Sequence, residues 1–285
     1  MSKNERLDAY RVPEGDPYHK MVPYVMPKRT EAEVSMSEKF DVTELNKYMK
    51  RRNEEEGLNL KLFHALCTAI ARTIFLRPKL NIFIAGRRYW QRKDITLSFV
   101  VKQVFNDEAD ETLMFMKVKP DMTLDSVSKL ILGDVDRVRK NSSNELDKTM
   151  NIIGALPRFL LEIIFAVVRK LEYHGVMPGG LMAGDPNYSS ALIANLGSIG
   201  CGAPYHHLSN YGTCSVMVTI GTMHPETVTT PQGDELRDIV EMTLTIDERI
   251  ADGFYFARSL KLIKYLLEHP ETLAQPMNEP VPIEL

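Results

Sequence analysis

The stretch TIDERIADGFYFARSL, residues 245–260, decides the interpretation of this chain because it joins two different patterns. Up to residue 246, alternating apolar side chains predict a strand. Beyond it, apolar side chains recur at helical spacing until Pro270, which ends the predicted helix. Four ionisable residues stand at the junction: Asp247, Glu248, Arg249 and Asp252. Charge is common in surface loops, but ionisable groups in fixed order at such a junction also mark sites of chemistry.

The rest of the chain shows strand and helix patterns without an internal repeat or a long linker. Residues 32–40 predict a strand, and Asp41 with Glu44 resembles a capping box that opens the next helix. Asn59 is predicted to cap a second, apolar helix that Pro78 ends. Further strands are predicted at 80–85, 89–91, 95–105, 113–118, 190–194, 213–220 and 239–246, with another helix from about residue 121.

This order of elements predicts one α/β domain with a largely antiparallel or mixed sheet, rather than a strict βαβ alternation. We expect residues 1–28, which are rich in proline and tyrosine, to form an extended N-terminal arm. Residues 29–285 are expected to form a single domain, with an apolar helical insert at about residues 145–180.

Within that insert, residues 152–171 (IIGALPRFLLEIIFAVVRKL) are apolar enough to require comparison with membrane helices. Charged residues and Pro157 interrupt the apolar run, so it falls short of the roughly 20 residues that span a bilayer. A buried or interface helix is therefore favoured over a helix that lies on a membrane surface.

Composition, charge and cysteine spacing exclude several classes of function. The chain has 285 residues, 44% of them hydrophobic, and a formal net charge of −3, which is typical of a soluble globular protein and argues against a nucleic-acid binder. Cys67, Cys201 and Cys214 follow no metal-ligand spacing, so we expect reduced thiols, no metal and a cytoplasmic location. The N-terminus has no apolar signal segment, which agrees with that location.

Two minor patterns have structural explanations. His64 lies on the apolar helix that ends before Pro78 and is expected to be a satisfied core or interface histidine. Tyr89 and Trp90, next to two arginines, have the chemistry to contact an adenine or a phosphate. A hairpin end with exposed arginines is the favoured interpretation.

Three stretches carry a resemblance to a known family: KFDVTEL at 39–45, ANLGSIG at 194–200 and TIDERIADG at 245–253. In this order they resemble the catalytic core of the dihydrolipoyl acyltransferases of 2-oxo acid dehydrogenase complexes, and more distantly chloramphenicol acetyltransferase. The family pattern at the third stretch is D-H-R-x-x-D-G, which this chain follows from Asp247 to Gly253 except at the histidine. The resemblance extends over about residues 26–270.

The resemblance implies a two-layer α/β sandwich of the chloramphenicol acetyltransferase-like fold, with a mixed sheet and helices on one face. It also implies a homotrimer whose active sites lie in channels between subunits. Coenzyme A or acyl-coenzyme A enters such a channel as a substrate, opposite the other acyl donor or acceptor. The sequence shows no lipoyl domain or swinging linker, so we expect no covalently bound lipoyl group and a free-standing protein.

The chain departs from the family at two positions with chemical roles. Glu248 occupies the position of the histidine that acts as general base, and Ala194 occupies that of the hydroxyl residue that stabilises the oxyanion. Losing such a base removes about 10² to 10⁴ in rate, and losing one oxyanion donor about 10² to 10³. Asp252 matches the family's second aspartate, whose role is mainly structural.

Three interpretations of the site remain open. In the first, the chain is a coenzyme A-dependent acyltransferase in which burial in an apolar channel makes Glu248 an effective base. In the second, His206 or His207 supplies the base and Asn195 donates to the oxyanion, although one imidazole of such a pair is expected to satisfy a buried polar group. In the third, the protein is a catalytically inactive trimeric scaffold or ligand-binding protein that retains the fold.

Overall fold

The computed structural model describes residues 5–13, 15–102, 111–140, 154–231 and 233–284, in which strands and helices occur in runs rather than in strict alternation. The strands in these residues are β1 (Ala9–Arg11), β2 (Glu33–Asp41), β3 (Ile82–Ala85), β4 (Arg88–Arg92), β5 (Ile95–Lys102), β6 (Glu111–Val118), β7 (Ala191–Asn195), β8 (Val216–Ile220), β9 (His224–Thr230) and β10 (Gly233–Asp247). The helices are α1 (Pro17–Val25), α2 (Thr43–Glu56), α3 (Leu62–Leu76), α4 (Leu124–Lys140), α5 (Arg158–His174), α6 (Gly179–Met182) and α7 (Gly253–Glu268).

The larger sheet is mixed and has seven strands in the described residues. Its order is β2-β10-β8-β7-β5-β6, and β9 pairs with the first part of β10. β7 runs parallel to both β5 and β8, whereas the other neighbouring strands of this sheet are antiparallel. The mixed sheet predicted from the order of elements is therefore confirmed.

The second half of β10 shows how the two faces of this sheet differ. Met242, Leu244 and Ile246 are buried in the apolar core, together with side chains of α2, α3, α4 and α7. Successive residues of a strand point to opposite faces, so Thr243 and Thr245 face away from those helices, and both are buried. The sheet thus has one apolar face under the helices and one face that carries hydroxyl groups.

The predicted caps of two helices are wrong, although both helices are present. The Asp41 carboxylate accepts the Thr43 N–H at 2.9 Å, but Glu44 pairs with Lys47 and gives no reciprocal bond. α3 begins beyond Asn59, and its N-cap side chain makes no capping bond. The apolar periodicity located these helices correctly because their packing on the sheet, rather than their caps, determines them.

The N-terminal arm is not extended throughout, which corrects the expectation for residues 1–28. β1 joins β4 and β3 in a separate three-stranded sheet, and α1 is a helix of nine residues. Arg6 is buried against the rings of Phe83 and Trp90, and its guanidinium forms a 2.7 Å ion pair with Glu172 of α5. These contacts attach the described part of the arm to the domain.

The β3–β4 hairpin confirms the structural interpretation of its arginines and aromatic residues. Gly86 and Arg87 form the turn with φ angles of 58° and 59°, as a tight two-residue hairpin loop requires. Tyr89 and Trp90 are buried, and the ring N–H of Trp90 donates to the Ala85 carbonyl. Neither ring is therefore available to a nucleotide.

His64 is a satisfied histidine of the helical layer, as predicted. Its Nδ1 lies 2.9 Å from the Ser128 hydroxyl of α4, within hydrogen-bonding distance. Burial lowers the pKa of His64 to about 4, and the charge of Lys61 acts in the same direction. The imidazole is consequently neutral near neutral pH.

The sequence predicts a buried or interface helix in the apolar insert, and α5 is not buried within this chain, so the interface helix stays a prediction. None of its residues is buried in this chain, and Phe159, Ile163 and Val167 are more than half exposed. Its inner side packs on a small apolar cluster that includes Met177. Residues 145–153 of the predicted insert lie outside the described residues. In the described part of the chain, no helix has the length and apolar character needed to cross a membrane.

The sequence pattern does not predict β9 or the first part of β10. Together they form a two-stranded ribbon that continues the sheet beyond the strands β2 and β8. Most of the ribbon's side chains are exposed or only partly buried. Without a buried face, these strands lack the apolar alternation by which strands are recognised.

Candidate active site

Asp247 is the centre of a buried charge cluster at the end of β10. Its side chain is fully buried, and its two oxygens accept hydrogen bonds of 2.7 Å each from Nε and Nη2 of Arg249. Arg29 approaches separately, with its Nε 3.7 Å from the Asp247 carboxylate. Pairing with two guanidinium groups offsets the cost of burying this carboxylate.

Arg29 connects the cluster to the long loop between β7 and β8. Its guanidinium donates to the carbonyl groups of Ser209 and Gly212, and its backbone N–H donates to the Asn210 side chain. Burial lowers the pKa of Arg29, and the negative charge of Asp247 opposes that shift. These contacts hold the loop in a fixed position relative to the β10–α7 junction.

Glu248 is exposed, whereas its two neighbours are buried. The side chains of Asp247 and Arg249 form the internal ion pair, and the side chain of Glu248 lies at the surface. The backbone N–H of Glu248 donates to the Ala32 carbonyl at 2.9 Å, which ties the main chain to the residue before β2. The junction therefore holds position 248 in place and presents its carboxylate to the outside of this chain.

Asp252 caps α7. Its carboxylate accepts the Tyr255 N–H at 2.7 Å, and its φ of −78° and ψ of 167° are those of an N-cap residue. Its negative charge also lies at the positive end of the helix dipole. Asp252 thus has a clear structural task in this chain.

Asn195 lies far from Glu248 along the sheet. The neighbouring Ala194 is opposite Thr219 of β8, and Thr219 is opposite Thr243 of β10. Asn195 is in turn level with Met242, so position 248 lies six residues further along, and at about 3.3 Å per residue the separation along the sheet is about 20 Å. A single chain therefore does not bring Asn195 and Glu248 together.

The loop between β7 and β8 begins after Asn195, crosses the hydroxyl-bearing face of the sheet and runs towards Glu248. At its start, the Ala203 carbonyl accepts the Thr243 hydroxyl at 2.7 Å. Further along, the Leu208 N–H donates to the Glu33 carboxylate at 2.8 Å. Glu33 is directly opposite Asp247, so this part of the loop reaches the charge cluster.

His206 and His207 stand immediately before the second of these anchor points, so the loop carries them towards the Glu248 end. Both imidazoles are exposed, with their ring centroids 6.4 Å apart. Within the described residues neither ring forms a hydrogen bond, so the expectation that one of them satisfies a buried polar group is wrong.

Arg29 and several hydroxyl groups are parts of this region that the sequence patterns did not identify. The hydroxyls of Ser35 and Thr245 lie 2.8 Å apart, and the buried Thr219 hydroxyl has no hydrogen-bond partner among the described residues. Threonine at alternate positions, as in MTLTID, is a usable signal for a polar sheet face. The role of Arg29 depends on contacts with distant residues, which no local pattern reveals.

Two cavities of this chain lie away from Glu248. One is an apolar space of about 40 Å³ between the sheet and the helices, with Ile246 and Phe256 in its wall. The other, of about 260 Å³, is bordered by Asp41 and Arg237 at the opposite end of β10. Neither cavity surrounds Glu248, which is exposed among the described residues. Those same residues also contain no group of three or more potential metal ligands.

Comparison with known sequences places a family match in the same region. The model of the 2-oxoacid dehydrogenases acyltransferase (catalytic domain) family matches residues 178–275, which contain both the ANLGSIG and the TIDERIADG stretches. The lipoamide acyltransferase component of the branched-chain alpha-keto acid dehydrogenase complex of Bacillus subtilis (strain 168) is 24% identical over 216 residues. That match covers 75% of this chain but only 40% of the relative.

Solved structures agree with the sequence matches. A probable dihydrolipoamide acetyltransferase from Listeria monocytogenes 4b F2365 has a TM-score of 0.61 at 18% identity, covering 88% of this chain and 89% of the other. The Azotobacter vinelandii dihydrolipoamide acetyltransferase, studied for the role of a serine, a histidine and an asparagine in its mechanism, has a TM-score of 0.61 at 17% identity, covering 85% and 83%. A chloramphenicol acetyltransferase gives 0.51 at 12% identity, covering 91% and 99%.

The fold is therefore the α/β sandwich of the chloramphenicol acetyltransferase-like acyltransferases, with a mixed sheet and helices on one face. Within that class, the resemblance to the catalytic core of the 2-oxo acid dehydrogenase acyltransferases is confirmed.

Proposed function

We propose that this protein is an acyltransferase that moves an acyl group between coenzyme A, or a related thiol carrier, and an acceptor. The family match over residues 178–275 and the fold support this reaction class. The proposal includes a homotrimer with active sites between neighbouring copies. It also includes a cytoplasmic location, which the three free cysteines support.

The sheet register is the observation that carries the intersubunit site. Glu248 and Asn195 are about 20 Å apart along the sheet, which is too far for both to contact one reacting thioester. A second copy that packs its Asn195 region against the Glu248 end of the first would bring the two groups together. Three such head-to-tail contacts close into a ring.

Glu248 is the proposed general base. Its carboxylate takes the proton of the acceptor thiol, and the thiolate attacks the acyl carbonyl carbon of the donor thioester. The bond to the donor sulfur then breaks, and that sulfur receives the proton from Glu248. Reference pKa values of about 4.3 for glutamate and 8.5 for a thiol make this transfer unfavourable in water, so cover by a neighbouring copy is part of the proposal.

The spacing within the junction supports this assignment. The histidine and asparagine studied in the Azotobacter vinelandii enzyme are four positions apart, as are Glu248 and Asp252 here. His206 or His207 is the alternative base, and their position on the loop towards the Glu248 end supports that alternative. The Asn195 amide is the proposed donor to the oxyanion.

Two measurements test the proposal. Titration calorimetry with coenzyme A and with acetyl-coenzyme A should detect binding, and light scattering at micromolar concentration should give the mass of a trimer. The absence of binding at millimolar ligand would argue against coenzyme A as the carrier. A monomer mass would remove the intersubunit site.

A catalytically inactive scaffold or ligand-binding trimer is the second candidate. The observation that favours it is that Asp247 and Asp252 keep their structural contacts, whereas Ala194 offers no hydroxyl and Glu248 is exposed. A Glu248→His variant separates the two candidates. Acyl transfer that appears only in the variant supports the scaffold, whereas transfer by the natural protein that the variant does not increase supports the enzyme.

A further inference from the structure

α5 carries a second apolar stripe that packs on nothing in this chain. Phe159, Ile163 and Val167 follow one another at intervals of four residues, so they lie along one side of the helix. All three are more than half exposed, and the stripe continues to Lys170 and the exposed Tyr173. With 17 residues, α5 presents this stripe over about 25 Å.

α1 presents a similar set of exposed side chains. Tyr18, Met21 and Val25 share one side of the helix, Tyr24 lies next to them, and each of the four is at least 60% exposed. Tyrosine combines an apolar ring with a polar end, a combination favoured where an apolar phase meets water. Exposed apolar side chains gathered in this way mark interaction surfaces rather than ordinary surface.

The turn of the β3–β4 hairpin joins these two helices into one continuous surface. The guanidinium of Arg87 lies 4.8 Å from the centre of the Tyr24 ring at the end of α1. On the other side of the turn, a Cβ added to Gly86 would lie 2.0 Å from the backbone oxygen of Tyr173 in α5. We call this region the α1–α5 surface.

Positive charge surrounds the α1–α5 surface. Apart from Arg158, the exposed lysine and arginine side chains on its three elements are Lys20, Arg87, Arg88, Arg169 and Lys170. None of them forms an ion pair with another described residue. Of the acidic residues nearby, Glu162 pairs with Arg158 and Asp16 bonds to His19. The whole chain has a formal net charge of −3, so this local excess of positive charge runs against the average.

We propose that the α1–α5 surface binds an anionic phospholipid membrane, with α5 lying in the plane of the interface. Aromatic and aliphatic side chains would enter the boundary between head groups and acyl chains, while lysine and arginine contact lipid phosphates. In a two-fold contact, the same surface of two copies meets. Such a contact is disfavoured because the positive charge of one copy would face the positive charge of the other. The inference does not depend on Glu248 or on acyl transfer.

The apolar part is tested by sedimenting the full chain with vesicles. Vesicles of phosphatidylcholine with about 30% phosphatidylglycerol should bind the protein, and vesicles of phosphatidylcholine alone should bind it weakly. Ile163→Glu should weaken partitioning at least about tenfold, because a half-exposed isoleucine is replaced by a charge. Leu130→Glu on α4, also an exposed apolar residue of a helix, is the matched control and should have no effect.

The charged part is tested with the double variant Lys20→Glu and Lys170→Glu. Loss of two cations should weaken binding to the anionic vesicles at least about 30-fold, and added salt should weaken binding of the natural chain. The matched control is Lys50→Glu with Lys129→Glu, two exposed lysines of α2 and α4.

Absence of binding to anionic vesicles overturns the proposal, as does binding that neither variant pair changes. If Ile163→Glu instead lowers the oligomeric mass while vesicle binding is absent, the surface is a contact between copies. Vesicle binding is measured without any thioester, so its outcome is separate from that of the acyltransferase proposal.

Discussion

The Glu248 end and the Thr243 region of β10 are built from different chemical groups. At the Glu248 end, two arginines and a buried carboxylate fix the main chain, while one carboxylate and two imidazoles remain exposed. Beside Thr243, the facing groups are small and uncharged, namely Ala194 and the Thr219 hydroxyl, and Asn195 follows Ala194 at the end of β7. Proton-transfer groups and neutral donors are thus separated within one chain, so neither region alone has the complete set for acyl transfer.

The largest expected effect comes from removing the exposed carboxylate of Glu248, which tests the Glu248 end. Glu248→Gln should lower any measured thioester turnover by about 10² to 10⁴, because the amide cannot accept the thiol proton. The free energy of unfolding should be unchanged, since Glu248 is exposed. Glu55→Gln, an exposed glutamate of α2, is the control for both measurements. An unchanged rate would move the role to His206 or His207.

Breaking the buried charge cluster should lower the free energy of unfolding, in addition to any effect on turnover. Asp247→Asn leaves Arg29 and Arg249 buried without their carboxylate, and we expect a loss of about 3 to 5 kcal/mol in the free energy of unfolding by urea titration. The control Asp234→Asn alters an exposed aspartate on the ribbon and should change stability little. Equal effects of the two substitutions would mean that the cluster does not fix the junction.

The cap of α7 should contribute less. Asp252→Ala should cost about 1 kcal/mol in the same titration, because the Tyr255 N–H loses its acceptor. Asp252→Asn keeps an acceptor and should be nearly neutral for stability. If Asp252→Asn nevertheless abolished turnover, Asp252 would have a chemical role beyond the cap.

His64 lies in the helical layer, outside both regions, and its protonation should make the stability of the fold depend on pH. Its pKa is lowered to about 4 in the folded protein by burial, against a reference value of about 6.5 in the unfolded chain. The unfolded state therefore binds the additional proton, and this contribution to stability is lost as the pH falls from about 6.5 towards 4. Urea midpoints for His64→Gln should depend less on pH in that range than those of the exposed control His269→Gln. Equal slopes would contradict the shift.

The parts of the fold with one buried face could be predicted from the sequence. Contact of one side with the apolar core imposes apolar spacing of two on β2 and the second half of β10, and spacing of three to four on α3 and α7. The ribbon formed by β9 and the start of β10 has no such face, so no apolar pattern in the sequence predicts it. The sequence does not predict α1, because its proline and tyrosine content is typical of an extended segment.

Some features of the candidate site can likewise be predicted from the sequence, and others cannot. The motif at 245–253 is contiguous, so its strand-to-helix turn and the cap at Asp252 follow from local sequence. The contacts of Arg29 join residues about 180 positions apart, and only the fold reveals them. The distance between Asn195 and Glu248 depends on the pairing of three strands, which the sequence does not specify.

Subunit complementation tests the intersubunit site most directly. Glu248→Gln and Asn195→Ala should each lower turnover by at least about 10²-fold when assembled alone. When the two variants are assembled together, chance pairing should place an intact Glu248 beside an intact Asn195 in about a quarter of the contacts between copies. The account predicts recovery to about that fraction of the natural rate. A mixture no more active than its two parents would contradict it.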